Sequence, residues 1–246
     1  MTKYLFFSII LYLSIFPCFS QIVSLNNSQE EKDKNLPTSM ILKNNLNQNY
    51  RNISENPYYN NSIIDELIDE KPLLTYNVEM GIIVPLLKTV ILECGLGYIH
   101  FGEKNSYSDS NSDSSFHYSN NYRYVGIPLK LKWKPLSISI QKNNSIDFRI
   151  GGGFIPQLLF GYSQIYNWTT SFGSQGSNTN RDRTNLNTST INAILECEIV
   201  YSLNTKIAFH LTGNFQKSYV NSFNKYAPYQ HFNQAIGIGF GLSKFF

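Results

Sequence analysis

Eight ionisable residues recur at the polar positions of strongly alternating segments: Glu79, Glu93, Lys130, Lys132, Asp147, Arg149, Glu196 and Glu198. On one shared face, such carboxylates and cations have two chemical uses. They neutralise one another in a space too narrow for free water, because an unpaired buried charge is expensive, or they pass protons or ions across a barrier. Mutual neutralisation needs nothing beyond the residues themselves and is the expectation. Catalysis would need a nucleophile or a water activated by a positioned base. The histidines are His100, His117, His210 and His231. His210 falls on the charged face near Thr212, where hydrogen bonding within the core suits it, and His117 and His231 fall in stretches that read as loops. Spacing alone assembles no Ser-His-acid arrangement, so no catalytic residue is assigned and no enzymatic activity is expected.

Metal and cofactor chemistry has no motif behind it. The chain contains no CxxC, HExxH, glycine-rich phosphate loop or GxSxG, so no cofactor is expected. Asp109-Ser110-Asn111-Ser112-Asp113 starts like a calcium loop, but the sixth and twelfth places hold Ser114 and Asn120 instead of Gly and Glu. The stretch 105–121 therefore reads as a solvated loop, as does the Ser-, Asn- and Gly-rich stretch 164–187. Cys94 and Cys197 are far apart on apolar faces, and a disulfide between them is not favoured.

The elements that carry these charges alternate in twos. Leu74, Tyr76, Val78, Met80, Ile82 and Val84 oppose Thr75, Asn77, Glu79 and Gly81; Val90, Leu92, Cys94, Leu96 and Tyr98 oppose Glu93, Gly95 and Gly97. Val125 to Trp133 does the same around Lys130 and Lys132. Ile146 to Tyr162 does so around Asp147 and Arg149, with Tyr162 on the apolar side. Ile191 to Tyr201 places Glu196 and Glu198 opposite Leu195, Cys197 and Ile199. Ile207 to Phe215 and Ile236 to Phe246 complete seven strand patterns.

Of the 246 residues, 15% are charged and 15% aromatic, a balance foreign to disordered chains. Lys3 and the apolar run to Phe16, closed by Ser20, read as an export signal over residues 1–20. Without Lys3, 19 basic and 17 acidic residues leave a net charge of +2, too weak a field to argue for nucleic acid. Beyond residue 20 no apolar run reaches the ~20 residues of a membrane helix. Alternating strands remain, their apolar faces directed either to a soluble core or to lipid. Lipid is favoured by the Gly, Glu, Lys, Asp and Asn of the opposite face, by aromatics at the run ends, and by alternating short and long connections.

Tyr124-Val125-Gly126-Ile127-Pro128-Leu129-Lys130-Leu131-Lys132-Trp133, then Arg149-Ile150-Gly151-Gly152-Gly153 and the aromatic-ended stretch 233–246, resemble the bacterial outer-membrane-protein β-barrel domain family, small OmpA-like barrels. Gly126 stands where that family usually has an acidic residue. The resemblance implies an all-β fold over 73–246: an eight-stranded antiparallel transmembrane up-and-down barrel with short periplasmic turns and long outer loops, in the bacterial outer membrane. An even strand count then requires a cryptic first strand within the Asn-rich segment 21–72, best placed at 37–48 around Met40-Ile41-Leu42. A short capped helix over 62–69 would lie in the first outer loop.

The functional expectation is a structural or surface-interaction barrel with its lumen plugged by side chains. The alternatives are an accessory barrel of an outer-membrane export or assembly machine, a membrane enzyme around His210, and a small channel. The expected partners are outer-membrane lipid, the insertion machinery and, through the outer loops, an unidentified protein. Phe240, Leu242 and Phe246 are the expected C-terminal assembly signal.

Overall fold

A computed structural model describes residues 38–55, 71–108, 114–141, 144–203, 206–224, 227 and 229–246. Ten strands follow in chain order: β1 (Ser39–Glu55), β2 (Lys71–Pro85), β3 (Val90–Ser108), β4 (Ser115–Gly126), β5 (Leu129–Gln141), β6 (Asn144–Thr169), β7 (Gln175–Asn180), β8 (Ser189–Leu203), β9 (Ile207–Ser218) and β10 (Tyr229–Phe245). They form one antiparallel ring of eight positions. β4 and β5 share a single position because Ile127-Pro128 interrupts what is otherwise one descending strand. Pro128 has no N–H for the ladder, yet its carbonyl accepts from Gly95 N, and Ile127 N donates to Pro156 O, so the wall stays sealed. β7 lies off the ring and pairs with the upper end of β6.

The ring closes where β1 meets β10, in an unbroken register from Ser39↔Phe245 to Glu55↔Tyr229. Sideways steps from Phe148 lead through Ile199, Leu211, Phe240, Asn44, Val78, Tyr98 and Val125 to Leu158. One circuit of eight strands thus advances ten residues along β6. That stagger sets a strand tilt of about 41° and a backbone radius of about 8 Å. Such a bore is narrow enough for long side chains from opposite walls to meet.

The connections at one end are short, Pro85 to Val90, Gln141 to Asn144 and Leu203 to Ile207, and the long ones lie at the other. This places the short turns on the periplasmic side and the long connections outside.

Burial alternates residue by residue. On β1, Ser39, Ile41, Lys43, Asn45, Asn47 and Asn49 point inward and are buried, and Met40, Leu42, Leu46 and Tyr50 point outward and are exposed. The first strand thus starts two residues into the expected 37–48 window and runs seven residues past its end. The export signal, the helix at 62–69 and the calcium-like start at 109–113 lie outside the described residues.

Four expectations are corrected. Stretches 105–121 and 164–187 are not loops throughout: β3 runs up to Ser108, β4 begins at Ser115, and β6 and β7 make a hairpin above the barrel. A strand beyond the bilayer keeps its ladder by pairing with a neighbour, whatever its polarity. His117 and His231 accordingly sit in β4 and β10, and His231 is buried. Tyr162 points inward instead of out, because the register slips between Arg123↔Gly161 and Tyr124↔Leu159, leaving Phe160 as an extra residue on β6. One extra residue reverses every later side chain. Val84, expected on the apolar outer row, is buried at the end of β2.

Candidate functional site

The interior is layered. At the periplasmic end Ile41, Ile83 and Ile91 pack together. Above them lie the charged residues. Lys43, Lys130 and Lys132 reach in from β1 and β5, Glu79 and Glu93 from β2 and β3, and Glu196 and Glu198 from β8. Each ammonium touches three carboxylates. Lys43 Nζ lies 2.9 Å from Glu93, 3.0 Å from Glu198 and 3.5 Å from Glu196. Lys130 contacts Glu79, Glu93 at 3.2 Å and Glu196 at 2.7 Å. Lys132 contacts Glu93 at 2.8 Å, Glu196 at 2.7 Å and Glu198 at 3.2 Å. Three donors per ammonium thus meet three acceptors, and Glu93 and Glu196 bind all three lysines. Arg149 extends the cluster from Glu198, at 3.8 Å, to Asp147, at 3.3 Å, whose other oxygen accepts from Ser137 at 2.6 Å.

All eight ionisable residues picked out by alternation therefore share one buried cluster, and Lys43 joins them from a strand whose period was not visible. The glycines opposite make room. A Cβ on Gly151 would meet Leu131 O first and stand 2.6 Å from Lys132 Cγ, and one on Gly241 would stand 2.9 Å from Lys43 Cγ.

His210 is also part of this layer. Its Nδ1 is 3.1 Å from Glu198 Oε1 and its Nε2 is 2.8 Å from Ser243 Oγ. The contacts follow the order of a nucleophilic triad, which spacing did not reveal because the three residues lie on β8, β9 and β10. All three are buried, and Glu198 is also held by Lys43, Lys132 and Arg149. A carboxylate shared in this way orients a hydrogen-bonded core, and Ser243 is 1% exposed.

Above a middle layer of buried amides, including Asn45, Asn77, Asn192 and Gln216, lies an aromatic storey. Ile99, Phe101, Tyr122, Tyr124, Ile155 and Tyr162 form its core. Here a second buried polar group, which alternation did not single out, centres on Glu103. Asn120 and Tyr122 donate to Glu103 Oε1 at 2.7 and 2.9 Å, and Arg51 lies 3.5 Å away. The His231 ring packs 5.2 Å from both Tyr122 and Phe223. At the outer mouth, Asp182 accepts from the Thr184 hydroxyl and backbone, which hold its carboxyl below the ordinary carboxylate value.

The outer wall is the reverse of the lumen. Leu131 is 53% exposed and Phe240 65%, and exposed Leu, Ile, Met and Phe side chains continue through every position of the ring. Soluble monomers rarely expose a contiguous apolar patch beyond a few hundred Å², and here the patch is a closed belt around a charged interior. The fold is that of a small outer-membrane barrel. Cys94, half-buried, and Cys197, exposed, belong to this wall as free thiols, and Leu242 and Phe246 point outward with Phe240.

No protein-family model matches the chain, and no curated protein does. Among solved structures, the chain is similar to the outer-membrane protein OprG from Pseudomonas aeruginosa, at 10% identity and a TM-score of 0.44, covering 88% of this chain and 99% of that one. It is also similar to Neisserial surface protein A, at 8% identity and 0.36, covering 85% and 97%. A third is the outer-membrane protease OmpT from Escherichia coli, at 6% and 0.34, covering 89% and 99%.

Proposed function

We propose that this outer-membrane barrel is a closed anchor that carries a recognition surface at its outer face. The observation behind the reading is the ion cluster: in a bore of about 8 Å radius, three lysines and four glutamates from opposite walls meet at hydrogen-bond distance. An isoleucine layer lies below them and an aromatic layer above. Such a lumen gives an ion no wet path.

The investment in structure lies outside instead. At 26 residues, β6 is long enough to cover roughly twice the ~30 Å hydrocarbon thickness even at its tilt. Its upper end, with β3, β4 and β7, makes a sheet above the bilayer. Phe116 and Tyr166 contact there at 5.8 Å. Gly173, at φ 78°, turns the β6–β7 hairpin and presents Phe172, 95% exposed, at the tip. Exposed aromatics on a rigid arm are the chemistry of protein contact.

The test is capture of partners on the barrel in lipid nanodiscs, with and without residues 165–179, the ends Gln164 and Asn180 being joined by an Asn-Gly turn. The reading expects an outer-surface partner that is lost with the hairpin. Capture of periplasmic or assembly components that ignores the hairpin would favour an accessory role in an export or assembly machine.

A further inference from the structure

At the outer mouth, above the aromatic storey, lies a cavity of about 180 Å³. Its lining combines the polar residues Asn120, Gln164, Asn180, Asp182 and Asn185 with the apolar surfaces of Tyr162, Leu186 and Phe223.

The walls are fixed before any ligand arrives. Gln164 and Asn180 are paired across the β6–β7 ladder, and Leu186 bridges to Phe223. Asn180 Oδ1 accepts from Asp182 N at 2.9 Å. The two loops that frame the cavity are tied together: Asn187 Nδ2 donates to Asn221 O at 2.7 Å and to Phe223 O at 2.8 Å, and Asn224 N donates to Asn185 O at 2.8 Å. A preformed site loses little entropy on binding.

The chemistry of the lining selects the ligand. Among the described residues the wall holds one carboxylate and no lysine or arginine, so an anion meets no counter-charge there. A metal ion has no donor set either, since no group of three His, Cys, Asp or Glu side chains is gathered among the described residues. A purely apolar guest would strip water from the Asp182 carboxylate and from the amides that face the cavity, which is expensive. Side-chain amides both donate and accept, so each can serve a hydroxyl that does the same, and Asp182 adds a strong acceptor. The apolar surfaces of Tyr162, Leu186 and Phe223 suit a C–H face. The volume lies below the ~300 Å³ of a drug-sized site, which suits a single ring.

We propose that this cavity binds a neutral pyranose ring, the terminal sugar of an extracellular glycan. The inference rests on the reading of the barrel as a closed anchor with an outer recognition surface, and it names the chemistry of one part of that surface.

The experiment is saturation-transfer NMR on the barrel in nanodiscs with the methyl pyranosides of glucose, galactose, mannose and N-acetylglucosamine, and with inorganic phosphate, calcium and adenine as controls. Oligosaccharides ending in the preferred sugar are then immobilised to separate a glycan terminus from the free ring. At least one pyranoside should bind, with contact on its C–H face, and Asp182→Ala and Asn180→Ala should each weaken it about tenfold or more. Heat-modifiable migration shows that both variants are folded. Three results would overturn the inference: no pyranoside binding, binding indifferent to both substitutions, or a response confined to the controls. Binding of the free ring without the immobilised glycan would overturn the glycan assignment. A barrel silent in planar bilayers that binds no sugar sinks this inference alone, whereas a conducting barrel sinks the anchor reading.

Discussion

Lys43 Nζ lies 2.9 Å from Glu93 Oε1, across 50 residues of sequence, and reaches Glu196 and Glu198 as well. The same lysine joins the first strand to the third and to β8, so the first strand supplies a charge that the interior carboxylates use. Lys43→Met keeps the length and removes the charge, which leaves buried carboxylates short of a partner. A loss of about 3–5 kcal/mol is expected, read as the shift in urea unfolding of the barrel in vesicles. Adding Glu93→Gln should return part of it; strictly additive losses would contradict the coupling.

Much of the barrel is legible in the sequence, for a reason visible on β8 and β10. Where Leu195, Cys197 and Ile199 alternate with Glu196 and Glu198, the contrast between lipid and lumen is written residue by residue. β1 hides it. Its inward row is Lys43, Asn45, Asn47 and Asn49, but its outward row includes Asn44 and Gln48, so polarity barely changes from one residue to the next. Lys43 was therefore missed. On β4, Phe116, Tyr118, Tyr122 and Tyr124 do keep a period of two, but the Ser and Asn between them read as loop. Tyr162 could not have been placed, because the extra residue at Phe160 depends on its partner strand. Ser243 and His210 belong to different strands, and only the register brings them together.

The room left for the lysines is a second test. Gly151→Leu places its Cβ against Leu131 O and 2.6 Å from Lys132 Cγ, and should destabilise by about 1–3 kcal/mol or more. Gly213 has nothing within 4 Å of such a Cβ, so Gly213→Ala should stay within about 0.5 kcal/mol. Similar losses at both sites would mean that the lumen is not packed as described.

The lipid belt predicts a contrast between two exposed positions. Arg in place of Leu131 or Phe240 should cost ~2–4 kcal/mol near the midplane. Phe172 is more exposed than either, yet Phe172→Arg should leave unfolding unchanged, because water and not hydrocarbon surrounds it. Vesicle-reconstituted unfolding curves decide this, and equal tolerance at all three positions would argue against a bilayer.

Assembly is probed at the closing strand. Deleting Phe245 and Phe246 removes the Ser39↔Phe245 pair and the bond from Phe246 N to Thr38 O. If Phe240, Leu242 and Phe246 are read by the insertion machinery, membrane-inserted protein should fall sharply and the remainder be degraded. Normal insertion with only a slightly lower melting temperature would leave Phe246 as an interfacial aromatic and nothing more.

The most direct measurement of the closed lumen is planar-bilayer recording of the purified full-length barrel. On the closed-anchor reading the ammonium–carboxylate cage leaves no hydrated path, so no stepwise conductance is expected from the wild type at any voltage the membrane withstands. Stable, ohmic single-channel steps from the wild-type barrel would contradict the account.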